Sequence, residues 1–446
     1  MAIVDAQDTR TTLPPEDVAE YQSRVAKARE LARSAGFDAL VVCDGGPWGG
    51  FVRYFSGFVN YAPRMVTKLS ALVIPSTSEV TLCVPPGFLG GIAAVARLRM
   101  GIPRVQSTYS EDPEWENKTN FGGGAVDLGA DVAQALKSSG LASARIGIVG
   151  TWPGLEETKA LVPNARFDPA VVVGPNGVKD SLLEPLTHGN SPWELARLEH
   201  AMVDADASIR VFMEQAQEGA VIADALADAH YRLERGGSEM VTMLMVGADP
   251  WFFAQDFKML PRDTRFKKGD MVTAEWTGAF QGYHVQDIRT FVVGAKPSSA
   301  QMRVIEATKQ ARDEMVDRIE VGMTGDQLWN ISLAAAKRAG LHPWLRVAHY
   351  MGFFFAKAFP TDEATSETSE SRLLGLPGNR GTVREGDALT VQPGFIDKGT
   401  GILAYIGDTG IIENGRFRLL SKSPVGYGTS PAPGPQTQSR NRPRTS

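Results

Sequence analysis

The sequence predicts an α/β first half followed by an α+β second half. Two patterns carry that expectation. Up to about residue 150, apolar runs of strand length alternate with segments of helical periodicity. That order suits a mostly parallel or mixed sheet with helices on its faces. Beyond Pro192, strand runs are separated by paired helical segments. Composition agrees: 43% of the 446 residues are hydrophobic and 22% are charged, enough to build sizeable cores.

In chain order, residues 18–35 carry apolar side chains at helical spacing. FDALVVC (37–43) is a continuous apolar run and reads as a buried strand. SALVIP (70–75) and VTLCV (80–84) are two more, with a Ser/Thr-rich turn between them. A helical stretch over 126–138 leads to the strand RIGIVG (145–150). Turn formers crowd the segment that ends at Pro192, which places the interdomain connection there. A long amphipathic helix follows from Trp193 to about Gln217. Asn190 or Ser191 is its cap, and Glu194 puts negative charge in its first turn. Strand runs follow at 239–246, 271–276 and 288–293, then helices over 299–319 and 324–339. ALTVQPGF (388–395) and ILAYIGDTGIIENG (402–415) close the strand-rich end. Residues 361–381 read as a mobile segment, and the Pro/Gly/Ser/Arg-rich end of the chain as a disordered tail. The expected domains are therefore 1–186 and 187–427, with a tail at 428–446.

Charge and cysteine count exclude several classes. Forty-six basic and 51 acidic residues leave a net charge of −5, which argues against a nucleic-acid partner. Cys43 and Cys83 are too few for a disulfide framework or a cysteine zinc module, and they fit a cytoplasmic location. The first residues lack a basic segment followed by an apolar one, so no signal peptide is expected. No apolar run approaches the ~20 residues of a membrane span, so no membrane partner is expected. GGPWGG (45–50) and GGG (122–124) lack the strand and helix context of dinucleotide fingerprints.

FKKGDMVTAEWTGAFQGYHVQDIRTFVVG (266–294) resembles the metal-site hairpin of the creatinase, prolidase and aminopeptidase P family, which has the pita-bread fold. Gly269, Asp270, Gly282, Tyr283, Arg289, Thr290 and Phe291 fall in register with its pattern. RYFSGF (53–58), VAHYMG (347–352) and REGDALTVQPGF (384–395) resemble further family segments, in the family's order. The resemblance implies a pita-bread second domain after a creatinase-type α/β domain. It also implies a homodimer, with the N-terminal domain of one subunit near the other's site. Arg53, at the head of RYFSGF, is then expected to bind substrate.

The departures carry as much information. The family's peptidases hold two divalent metals with two Asp, one His and two Glu. Carried over, those positions are Glu275, Gln286, His349, Gln392 and Gly407. Two dications bring +4 and one carboxylate remains. Hard cations need anionic oxygens, so no bound metal and no other cofactor is expected. Asp287 is one residue past Gln286, and strand parity turns it to the opposite face unless a bulge re-aims it.

His349 is expected as a general acid/base, the other reading being a hydrogen-bonded residue of the fold. Glu275 is expected as base, nucleophile or anchor for a cation, or else as half of a structural ion pair. His284 shares strand parity with Gln286 and joins the catalytic candidates. Gln286 and Gln392 offer amide groups to a substrate. Lys258 stands where creatinase has its catalytic His. Trp251, Trp276, Tyr350 and Phe353 offer rings that suit an aromatic or cationic substrate, against a reading as core. With Arg53 and Asp287 these complete the expected substrate-binding set. The function expected is a metal-independent, creatinase-like hydrolase of a non-peptide C–N bond in a small molecule. The alternatives are a metal-free lyase or decarboxylase, a metal-dependent Xaa-Pro peptidase, and a catalytically dead binding module.

Overall fold

The computed structural model of the chain describes residues 15–44, 50–58, 70–83, 104–106, 128–150, 154–174, 177–246, 253–254, 263–344, 348–353 and 382–425. Trp251, Lys258, the segment 361–381 and the tail lie outside them. The chain divides into two units, residues 1–187 and 188–446.

The first unit runs α1 (Pro15–Ser34), β1 (Ala39–Asp44), α2 (Gly50–Ser56), β2 (Ser70–Pro75), β3 (Thr81–Cys83), β4 (Arg104–Gln106), α3 (Leu128–Ser138), β5 (Arg145–Val149), α4 (Leu155–Leu161), β6 (Arg166–Pro169), β7 (Val171–Gly174) and β8 (Gly177–Ser181). Its six-stranded sheet has the order β4-β3-β2-β1-β5-β6. β1 pairs antiparallel with β2 and parallel with β5, so the sheet is mixed. Leu128, Val132, Ala133 and Leu136 of α3 pack on Val41, Val73 and Ile146. Both cysteines are buried and form no disulfide with each other, and burial pushes the Cys83 thiol up.

The second unit begins with α5 (Pro192–Gln215), α6 (Ile222–Arg235), β9 (Met240–Val246), β10 (Phe253–Ala254), β11 (Met271–Phe280), β12 (Tyr283–Val292), α7 (Ser299–Arg318) and α8 (Gly325–Ala339). It closes with β13 (His342–Pro343), β14 (Ala348–Tyr350), β15 (Ala388–Val391), β16 (Gly394–Ile396), β17 (Leu403–Tyr405), β18 (Gly407–Glu413) and β19 (Arg416–Leu419). Ser191 caps α5 in a reciprocal box with Glu194, and Ser298 with Gln301 and Thr324 with Gln327 do the same for α7 and α8.

The central sheet of this unit has the order β10-β9-β11-β12-β18-β15-β14, with β19 beside β18. β11 and β12 are longer than the sequence pattern indicates. They run from Met271↔Val292 to Phe280↔Tyr283 with no register break. Gln281 (φ 50°) and Gly282 (φ 88°) form the two-residue turn, both left-handed as a twisted hairpin requires. Val272, Ala274 and Trp276 face α5 and α6, where they pack with Phe212, Ala229 and Leu233. Thr273, Glu275 and Thr277 therefore lie on the other face.

Candidate functional site

Five strands place the site. Thr277 stands opposite Gln286 in the β11–β12 ladder, and Glu275 stands opposite Ile288. Gln286 thus meets Glu275 as a diagonal neighbour on the same face. Gln286 Nε2 donates to the half-buried Glu275 carboxylate. Gln286 Oε1 lies 2.9 Å from His349 Nε2, and His349 Nδ1 lies 3.0 Å from the Tyr350 carbonyl oxygen. His349 and Gln286 are 1% and 2% exposed.

Two threonines make that reach possible. His349 pairs with Thr390 across β14–β15, and Thr390 with Thr409 across β15–β18. Their hydroxyls are 2.8 Å apart, and Thr409 Oγ1 both accepts from Gln286 N and donates to Gln286 O. Short side chains on the two intervening strands leave space for His349 and Gln286 to meet above them. Neither threonine stands out in the sequence reading. The available signal is parity, because Thr409 is two residues past Gly407 and shares its face.

The rest of the expected set divides by face. His284 is buried on the Gln286 face, with Nδ1 3.2 Å from the Gly352 carbonyl. Gln392 is also buried, and its Oε1 has no hydrogen-bond partner among the described residues. Gln286, expected to face a substrate, instead has both ends of its amide turned to protein. Trp276, expected at the substrate, belongs to the helix-side core: it is fully buried, tilted on Phe212, and donates through Nε1 to Ser208 Oγ at 2.7 Å. Tyr350 is likewise core, packed edge-on against His188. Phe353 is buried edge-on against Tyr283, whose hydroxyl donates to Glu194. Arg53 is a buried residue of α2 in the first unit, outside this side-chain set.

Asp287 also leaves the site. No bulge re-aims it, and it is buried on the helix face, 2.5 Å from Arg289 Nη1. Arg289 Nη2 donates to Asp408 at 2.7 Å, Arg312 Nε donates to the other Asp408 oxygen at 2.6 Å, and Asp206 of α5 accepts from Ser421 and Ser423. Burial holds the Asp287 carboxyl well above its ordinary range against the pull of Arg289, helped by the charges of Asp408 and Asp206. Burial lowers the Arg289 guanidinium, but the charges of Asp287 and Asp408 outweigh it and leave a net rise. Arg289 and Arg312 thus bind the carboxylates nearest in sequence to the old ligand positions.

The residues present do not fit two divalent cations. Glu275 is the single carboxylate at the five positions, and among the described residues no group of three His, Cys, Asp or Glu could hold a metal. Gly407 has no room for a restored ligand. A Cβ there would lie 2.8 Å from Ile288 Cδ1, 2.9 Å from Gln392 Cβ and 3.0 Å from the Val391 carbonyl.

The second unit is an α+β domain, an antiparallel sheet backed by paired helices with a polar cluster on its other face. Residues 196–414 match the profile of metallopeptidase family M24. The second unit thus carries an M24 domain, and the chain has the pita-bread fold with an α/β N-terminal domain. Three solved structures illustrate the likeness. The dipeptidase PepE from Mycobacterium ulcerans is 21% identical, with a TM-score of 0.66 over 93% of this chain and 99% of that one. The Xaa-Pro dipeptidase from Bacillus anthracis is 17% identical, with a TM-score of 0.67 over 92% and 99%. The X-Pro aminopeptidase from Thermotoga maritima is 14% identical, with a TM-score of 0.69 over 91% and 99%. At these identities the likeness is one of fold. No curated protein sequence matches the chain. Among the described residues, no helix is long and apolar enough to cross a membrane.

These matches overturn the expectation of a metal-independent, creatinase-like hydrolase of a non-peptide bond, and the lyase alternative with it. The matching profile is that of a metallopeptidase family, and the solved structures of like fold are titled dipeptidase, prolidase and aminopeptidase. The error has a plain cause. Missing ligands state what a site lacks, and they do not choose a different substrate.

Proposed function

We propose that the protein is an M24-class hydrolase that cleaves the amide C–N bond of a small peptide, of dipeptide size, at Glu275 and His349. The observation that carries this reading is that the M24 match, residues 196–414, contains the whole Glu275–Gln286–His349 cluster. The dipeptidase and aminopeptidase titles of the structures with this fold support the substrate class.

Amide hydrolysis adds a water oxygen to the carbonyl carbon, breaks the C–N bond and delivers a proton to the leaving nitrogen. Glu275 is a half-buried carboxylate, suited to take the water proton. His349, on the far side of Gln286, is suited to give one to the leaving nitrogen. Gln392 Oε1 supplies an acceptor for a substrate N–H. Leaving a buried acceptor unmatched costs about 1–3 kcal/mol, and a bound N–H removes that penalty. A cytoplasmic location fits two buried cysteines that form no disulfide with each other. A homodimer is the assembly the family resemblance supports, and sedimentation reads it directly.

The test is release of proline from a panel of Xaa-Pro dipeptides, run without metal and with added Mn²⁺, Co²⁺ or Zn²⁺. Turnover is expected in at least one condition, with a loss of about 10²–10⁴-fold in Glu275→Gln. Absence of product from every dipeptide in every condition overturns the reading.

A further inference from the structure

The hairpin that joins β18 to β19 turns on Asn414 and Gly415, between the paired residues Glu413 and Arg416. Both turn residues are left-handed, with φ 54° and φ 78°. An Asn–Gly step carries its own chemistry. The Gly415 nitrogen, which no side chain shields, can lose its proton, attack the Asn414 side-chain carbonyl carbon and expel the amide nitrogen as ammonia. A five-membered succinimide results, and water opens it at either carbonyl to give aspartate or isoaspartate. One water enters and one ammonia leaves. Asn414 is exposed, so water reaches it. The structure opposes the attack in two ways. The left-handed conformation has ψ of about +47°, which sets the next nitrogen almost opposite Cβ across the Cα–C bond. Glu385 then fixes that torsion: one of its carboxylate oxygens accepts from Asn414 N at 2.7 Å and the other from Gly415 N at 2.9 Å.

We infer that Asn414–Gly415 is a latent deamidation site and that Glu385 guards it. The Asn414 ψ angle is the torsion between the two nitrogens that Glu385 holds. Rotating the Gly415 nitrogen round to the side-chain carbonyl therefore breaks at least one of those hydrogen bonds. Two successive N–H groups aimed at one anion form a nest, here filled by the chain's own carboxylate. The negative charge of that carboxylate also opposes loss of the Gly415 proton, because the proton leaves a second anion beside it. From another segment, Val321 N donates to the Gly415 carbonyl at 3.3 Å and grips the same residue. The guarded step bears on the strand that builds the candidate site. β18 carries Gly407 and Thr409 and ends in this turn. Deamidation would set a new carboxylate beside Glu385, and isoaspartate would add a backbone carbon to a two-residue turn. These contacts are independent of the proposed reaction.

The experiment follows deamidation of the full-length protein in warm, mildly alkaline buffer, by mass spectrometry of the peptide that contains residue 414. The urea-denatured chain, which has lost the clamp, sets the unguarded rate. The folded wild type is expected to react more slowly than that. Glu385→Ala is expected to speed the reaction of the folded protein by about fivefold, the factor carried by one hydrogen bond of ordinary net strength. A Glu385→Ala rate no higher than the wild-type rate overturns the inference, and so does a wild type that reacts as fast as the denatured chain. Glu385 is exposed, and the melting temperature shows whether the variant stays folded during the incubation. If it does not, Glu385→Gln decides. It keeps the size of the side chain but has one acceptor oxygen for the two N–H groups. A faster reaction is then expected, and a rate equal to that of the wild type overturns the inference.

Discussion

The two faces of the β11–β12 hairpin hold opposite solutions to one problem, the burial of polar side chains. On the face away from α5 and α6, Glu275, Gln286 and His349 are linked through an amide, with threonine hydroxyls beside them. On the other face, Arg289 and Arg312 pair with Asp408, and Arg289 also meets the buried Asp287. Gln286 and Asp287 are adjacent in the chain, yet one belongs to the candidate site and the other to the scaffold. Chemical type alone would have put the carboxylate in the site and the amide in the scaffold. The alternation of side chains along a strand decides the reverse.

The largest effect that separates the faces is expected from Arg289→Leu. It leaves Asp287 and Asp408 without their shared buried cation, and breaking a buried pair costs about 3–5 kcal/mol. His349→Ala, on the other face, is expected to shift the urea midpoint much less while dipeptide hydrolysis falls by about 10²-fold or more. Equal midpoints for the two variants would break the comparison. A smaller effect is expected at the boundary strand. Gly407→Ala pushes a Cβ against Ile288, Gln392 and the Val391 carbonyl, and overpacking of this kind costs about 1–3 kcal/mol. A neutral result in the same titration would show that the old ligand position can be refilled.

The smallest effect is a pH dependence. Burial holds the Asp287 carboxyl above its ordinary range, so the folded chain keeps that proton to higher pH than the unfolded chain does. The resulting stability is full below the unfolded value of about 3.9 and is lost as pH rises through the folded value. Asp287→Asn lacks this term. Its melting temperature minus that of the wild type is therefore expected to increase as pH is raised from about 4. A difference that stays flat or decreases over that range would show that Arg289 keeps the carboxyl ionised throughout.

Much of this molecule is legible in its sequence. Apolar runs mark β1, β2 and β5, because strands buried on both faces need no alternation. Serine and threonine three residues ahead of Glu or Gln mark the starts of α5, α7 and α8, because a helix end needs partners for its free N–H groups. The spacing of Gly269, Gly282, Tyr283 and Arg289 marks the family. The sequence also shows that three of the five ligand positions have lost their anionic side chains. It does not show where the remaining groups point or what they touch. Trp276 and Tyr350 read as core or as pocket rings, with core the safer reading, and packing against α5 and against His188 places them in the core. The bridge from Glu275 through Gln286 to His349 joins one hairpin to a strand more than sixty residues further on. Its orientation follows from the fact that a carboxylate and a carbonyl can only accept hydrogen bonds. Donor and acceptor roles are thus written in the residue types, but which of them meet is fixed by the register of the folded sheet.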